Sequence, residues 1–120
     1  MNEKTDREEC AWPELPWESW QDTCTTLHRW MQIVGKIRLK LAPMVNHWWQ
    51  VPLYVTPRGL TTSAIPYGPR IFQIDFDLLP HWMQIIVDDG RESELKLAPR
   101  TVADFYRETM EALKSLGLDV

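Results

Sequence analysis

The segment Asn46-His47-Trp48-Trp49-Gln50-Val51-Pro52-Leu53-Tyr54-Val55 is where the periodicity of this chain changes, and its reading decides the fold. Upstream of it, Trp20, Thr23, Leu27, Trp30, Val34, Ile37 and Leu41 recur at intervals of three and four, the spacing of one face of an α-helix. Cys24, Met31 and Ile33 widen that stripe, while Gln21, Asp22, Arg29, Lys36 and Lys40 stay off it, and Pro43 ends the pattern. A helix over residues 19–41 follows, roughly 34 Å long at ~1.5 Å per residue. Gly35 is its weak point, costing about 1 kcal/mol relative to alanine and offering room for close approach of another backbone. From the quoted segment onward the period is two. Trp49, Val51, Leu53 and Val55 are expected on one buried strand face beneath the helix, with Trp48, Gln50, Pro52 and Tyr54 on the other. Pro52 has no N–H to give a ladder, which places this strand at a sheet edge or a bulge.

Working outward, Thr56-Pro57-Arg58-Gly59 has the residues of a type I turn, and Leu60 to Ile65 returns as a second strand. Pro66-Tyr67-Gly68-Pro69 turns the chain again. Phe72, Ile74, Phe76 and Leu78 then alternate with Ile71, Gln73, Asp75 and Asp77, giving a strand with one buried and one wet face. After Leu79-Pro80-His81, the residues Met83, Ile85 and Val87 alternate with Trp82, Gln84 and Ile86. Asp88-Asp89-Gly90 signals a hairpin leading to a last strand, Ser93 to Leu97. Thr101-Val102-Ala103-Asp104 has the spacing of a helix-capping box, and Val102, Phe105, Thr109, Leu113 and Leu116 form the stripe of a second helix closed by Gly117. A long N-terminal helix, a five-stranded antiparallel meander and a C-terminal helix make an α+β two-layer sandwich. Residues 1–18 are read as a leader and a Pro/Trp strap, and residues 19–120 as a single α+β domain. In the strap, Trp12-Pro13-Glu14-Leu15-Pro16-Trp17, two prolines three apart exclude helix and favour an extended run pressed onto the body.

Composition narrows the function class. The chain has 120 residues, too few to split into two domains with useful cores. Thirteen basic against seventeen acidic residues give a net charge of −4, whereas a nucleic-acid surface is basic and clustered. The one basic cluster, Lys36, Arg38 and Lys40, occupies one flank of the helix and reads as a solvated face. No apolar run approaches the ~20 residues of a membrane span, the first ten residues are too polar for a signal peptide, and two cysteines make no disulfide framework. No nucleic acid, no membrane and a cytoplasmic location are therefore expected.

The segments Trp12-Pro13-x-Leu15-Pro16, Asp22-Thr23-Cys24-x-Thr26-Leu27-His28, Val34-Gly35-Lys36 and Asn46 to Tyr67, with Val102-Ala103-Asp104-Phe105-Tyr106 and Leu116-Gly117-Leu118-Asp119-Val120, resemble an uncharacterised bacterial family known only as a domain of unknown function. The resemblance runs from about Trp12 to the end of the sequence and brings no activity with it. It implies a longer protein whose second half repeats a long helix leading into an aromatic-rich strand. A lone first half would then leave a face uncovered, which self-association or a related half-domain could cover.

Three groups of residues invite chemistry. Asp75 and Asp77 share a strand face with Cα atoms ~7 Å apart, a separation open to a glycosidase-like pair, although alternation alone also predicts polar residues there. Cys24 and His28, one helical turn apart, permit two metal ligands, with His47 or His81 as a third, but the spacing is sparse for a metal site and Cys24 suits a small buried hydrophobe. No metal or cofactor is expected. The third group, His47, Trp48, Trp49, Gln50 and Tyr54, has the aromatic faces and placed polar groups of a binding surface, set against simple core packing of large side chains. Trp30 on the helix, Arg58 and Arg70 at the turns, and Tyr67 extend it. The leading expectation is a non-catalytic module that binds itself, a related half-domain or another protein through an aromatic-rich surface. The alternative is a small-molecule-binding domain, for an aromatic, sugar or cationic ligand, with a pocket between helix and sheet lined from Trp30, His47, Trp49 and Tyr54. A hydrolase-like enzyme using Asp75, Asp77 or His47 is the third.

Overall fold

The computed structural model describes residues 13–48 and 51–120. Helix α1 spans Trp17–Leu41. It begins two residues before the expected start at residue 19, because Pro16 sits at its N-cap with φ −58° and ψ 131°, a position where a missing N–H costs nothing to the ladder. Ser19 closes the first turn, its backbone N–H and its hydroxyl both donating to the Pro16 carbonyl. Ala42, extended at ψ 140° ahead of Pro43, ends the helix. Trp17 and Glu18 thus belong to the helix, and Trp17 meets Trp20 edge to face at 5.3 Å. The strap does not press onto the body: Pro13 to Trp17 are exposed, Leu15 at 66%. Trp12 lies outside the described residues.

The strands are β1 (Tyr54–Thr56), β2 (Gly59–Thr61), β3 (Ile65–Tyr67), β4 (Arg70–Asp77), β5 (Trp82–Val87) and β6 (Glu92–Lys96), all paired antiparallel. They form one six-stranded sheet in the order β1-β2-β4-β5-β6, with β3 also on β4. The strand expected over Leu60 to Ile65 is therefore two, because Ser63 takes a left-handed φ of 58°. Thr62 holds the halves in line. Its backbone N–H donates to the Ile74 carbonyl at 2.9 Å, and its fully buried hydroxyl accepts from the Ile74 N–H at 3.0 Å while donating to the Ser63 carbonyl. A side-chain oxygen thus replaces the carbonyl that the break removes from the ladder.

On β4 and β5 the alternation is strict. Phe72, Ile74 and Phe76, with Met83, Ile85 and Val87, are buried at 2% exposure or less, each contributing about 1.5–3 kcal/mol by leaving water. Helix α2, Val102–Ser115, covers them with Phe105, Thr109 and Leu113. Its cap is as anticipated: the Thr101 hydroxyl accepts from the Asp104 N–H, and Gly117 takes φ 77° beyond the C-terminus. α1 packs on α2 and β3, and Trp30 stacks flat on Phe105 with centroids 4.6 Å apart. The architecture is the α+β sandwich, with both helices over one face of the sheet. No helix among the described residues is long and apolar enough to cross a membrane.

Candidate functional site: the groove beside α1 and the edge of β1

The segment between α1 and the sheet is where expectation and structure part. After Pro43 the chain does not enter a strand. Asn46–Trp48 is a short 3-10 turn in which His47 and Trp48 both hold left-handed φ angles, 58° and 61°, and the first strand starts only at Tyr54. Residues 51–53 are irregular as well, and hydrogen bonds run from the Trp48 N–H to the Val45 carbonyl and from the Val51 N–H to the Trp48 carbonyl. The face assignment therefore fails at Val55, which is 86% exposed instead of buried beneath the helix. Leu53 does pack against the core, and Pro52 precedes the edge strand instead of sitting in it.

What holds this stretch to the helix is Arg38. It occupies the i+4 position from Val34, inside the buried stripe, and only 7% of it is exposed. Its Nη1 donates to the Pro52 carbonyl at 2.7 Å, and its guanidinium lies 5.3 Å from the centre of the Tyr54 ring. The expectation of a solvated basic flank is corrected at this residue: Lys36 and Lys40 are exposed, Arg38 is a clamp. Its Nε is buried with no hydrogen-bond partner among the described residues. A cation over an aromatic face and one carbonyl bond offset part of the cost of burying it.

Beside this clamp runs a groove of about 620 Å³ between α1 and the β1–β2 hairpin. Met31, Gly35 and Leu39 form its helical wall, Val51, Leu53 and Leu60 the opposite one, with His28, Gln32 and Lys36 as its polar lining. Gly35 does not receive another backbone: a Cβ built there meets nothing within 4 Å, so the glycine opens the groove floor. Val55, paired with Leu60 across the hairpin, extends the apolar strip to the outer edge of the sheet.

The remaining candidates are dispersed. Trp30 is core, stacked on Phe105, and His47 and Trp48 are exposed on the connecting turn. Tyr54 is half exposed on the edge strand over Arg38. Trp49 and Gln50 lie outside the described residues. The pocket expected from Trp30, His47, Trp49 and Tyr54 is thus not assembled from its described members, because the left-handed turn carries His47 outward while Trp30 turns into the core. Arg58 pairs with Asp77 at 2.8 Å across the first turn. Tyr67 acts as a clasp, its hydroxyl donating to the Asp119 carbonyl and accepting from the Asp119 N–H. Arg70 reaches Asp88 and Asp89 at 3.8 Å.

The carboxylates, the imidazole and the thiol singled out for chemistry have other surroundings. Asp75 accepts both oxygens' bonds from the Gln73 carboxamide at 2.9 and 3.0 Å, and Asp77 holds Arg58 and the Leu79 N–H. His28 meets Gln32 at 3.2 Å, one turn along the helix, and Cys24 is a free, half-buried thiol. Among the described residues no three metal-ligating side chains converge. Sequence reasoning passed over Arg38 and the groove-lining Met31, Leu39 and Leu60. The one available signal was the spacing of Arg38 from Val34, which puts a charge inside the apolar stripe.

The chain belongs to a family of unknown function, DUF5996, whose profile matches residues 12–120. No curated protein and no solved structure matches it.

Proposed function

We propose that this chain is a non-catalytic association module that pairs with a second copy of itself through the β1 edge and the groove beside α1. The observation that carries the reading is where the apolar surface lies. Of the thirteen large hydrophobic residues exposed among the described residues, six fall between Leu39 and Val55: Leu39, Met44, Val45, Trp48, Tyr54 and Val55. They adjoin a strand at the end of the sheet, whose outward backbone groups are a template for another strand.

The two ends of the strand order β1-β2-β4-β5-β6 differ in how they meet solvent. β6 is guarded by Glu92, Glu94 and Lys96, all exposed, the usual charged defence against edge pairing. β1 carries Tyr54, Val55 and Thr56 and no charge. A second copy is the occupant because an uncharged edge is complementary to itself, and a two-fold pairing closes after two chains without leaving a further edge of the same kind. Each copy would contribute a strand to the joint and a groove alongside it.

Hydrogen exchange of the β1 amides tests this directly. Tyr54 to Thr56 exchange more slowly at high than at low protein concentration, and Val55→Lys removes the difference while leaving the β4 and β5 amides protected. Equal β1 exchange at both concentrations in the native chain refutes the pairing.

A further inference from the structure

Trp17 and Gly35 stand eighteen residues apart on α1, about five full turns at ~3.6 residues per turn, so they lie on one line down the helix. Trp17 is 48% exposed, and its indole meets Trp20 edge to face. Gly35 lies on the groove floor, with nothing within 4 Å of the place a Cβ would take. One helix face thus presents a large exposed aromatic residue near one end and an open apolar recess near the other. The chain cannot join the two by itself, because about 27 Å of helix at ~1.5 Å per residue holds them apart. A second copy lying antiparallel can. When Trp17 of one copy meets Gly35 of the other, the reverse contact forms at the opposite end, as a two-fold pairing requires.

The charges along α1 have the same self-complementary order. Its first half carries Glu18 and Asp22 and its second half Arg29, Lys36 and Lys40, all exposed. Glu18 and Lys36 are again eighteen residues apart, each following one member of the Trp17 and Gly35 pair, so both stand on the same flank of that face. None of Glu18, Asp22, Arg29 and Lys36 forms an ion pair among the described residues. The antiparallel register that seats Trp17 at Gly35 brings Glu18 beside Lys36 of the other copy and Asp22 beside Arg29, each twice. A parallel pairing would set like charges together. The antiparallel order also opposes the two helix dipoles. Between the ends, Gln21, Cys24, His28 and Met31 continue the face at intervals of four and three, the spacing of helices packed side by side.

We propose that the occupant of the groove is the first half of α1 from a second copy, with the Trp17 indole of each chain seated at Gly35 of the other. This rests on the reading that the chain pairs with itself at the groove, and it names the segment that enters. Trp17 is the anchor, as a tryptophan enclosed in an apolar recess commonly is at an interface. The charged pairs set the direction and the register. A foreign helix would need this same charge order in reverse, which a second copy of the chain supplies without further requirement.

The test uses the whole chain and reads the dimer dissociation constant by sedimentation equilibrium at low ionic strength. Trp17→Ala, a truncation outside the core, raises the constant about thirtyfold or more. Glu18→Lys and Lys36→Glu, at exposed positions, each raise it roughly tenfold, since each sets like charges together twice. An equimolar mixture of these two variants recovers the native association, because every reversed charge in one chain then meets its opposite in the other. A damaged fold could not recover on mixing. The inference alone is overturned if the native chain associates and slows β1 exchange while Trp17→Ala leaves the constant unchanged, or if the mixture binds no more tightly than its components. A native chain that stays single at every concentration overturns it together with the reading it rests on.

Discussion

Replacing Gly35 by alanine separates two consequences of the same methyl group. Gly35 lies in the interior of α1, where glycine costs about 1 kcal/mol relative to alanine through backbone entropy and exposure. The usual objection to such a replacement is a clash, and here a Cβ meets nothing within 4 Å. The full propensity gain is therefore available to the isolated chain, about 1 kcal/mol, or a rise in Tm of about 4 °C for a domain of this size. The same methyl projects into the groove between α1 and the hairpin, where it takes space from any occupant. Urea and thermal unfolding followed by far-UV circular dichroism at low concentration measure the first effect, and the dissociation constant of the dimer measures the second. Gly35→Ala raises the stability of the monomer and weakens self-association. Destabilisation of the monomer would show that the groove floor is filled by the chain itself, and unchanged association would remove the groove from the interface.

Three further outcomes follow from the strand break, the hairpin and the β5–β6 turn. Thr62→Val keeps the shape of the buried side chain and strands the Ile74 N–H, so it costs about 1–3 kcal/mol in urea unfolding; a change within experimental error would mean the ladder closes without the hydroxyl. Gly59→Ala places a Cβ against the Phe76 carbonyl oxygen, a backbone atom that cannot swing away, and destabilises by more than about 1 kcal/mol with faster amide exchange in β2; native stability would contradict the close approach. The Asp89 carboxyl is held below the usual carboxylate range, first by the Arg91 backbone N–H, against some desolvation, with the Arg91 guanidinium and Arg70 adding to it. A carboxyl lowered in the folded state contributes stability above its unfolded value and loses it as pH falls through the folded one. Its ¹³C titration midpoint falls below that of the urea-unfolded chain, and a midpoint at or above the unfolded value would refute the assignment.

Most of the fold was legible because burial on one side writes a period into the sequence. Phe72, Ile74 and Phe76 alternate with Gln73, Asp75 and Asp77 since only one face of β4 meets the helices, and Thr101 with Gly117 bracket α2 by cap chemistry that is local. The break at Ser63 was not legible, because Thr62 replaces a backbone carbonyl with its own hydroxyl and threonine is also an ordinary strand residue. The quoted aromatic segment misled for a related reason. The sequence over residues 49–53 alternates as a strand would, but its described part, 51–53, is irregular and lies beyond a left-handed turn at His47 and Trp48, and non-glycine residues give little warning of such angles. Arg38 shows the limit on the site side: a charged residue ordinarily marks solvent, whereas the carbonyl of Pro52 and the ring of Tyr54 make a buried place for this one. The groove could not be read at all, since it is a space left between elements distant in sequence.

The mass of the native chain in solution, followed by sedimentation equilibrium over a wide range of concentrations, tests self-association most directly. The account predicts a rise from 14.2 kDa, the mass of one chain, toward that of two. A mass that stays at one chain at every concentration contradicts it.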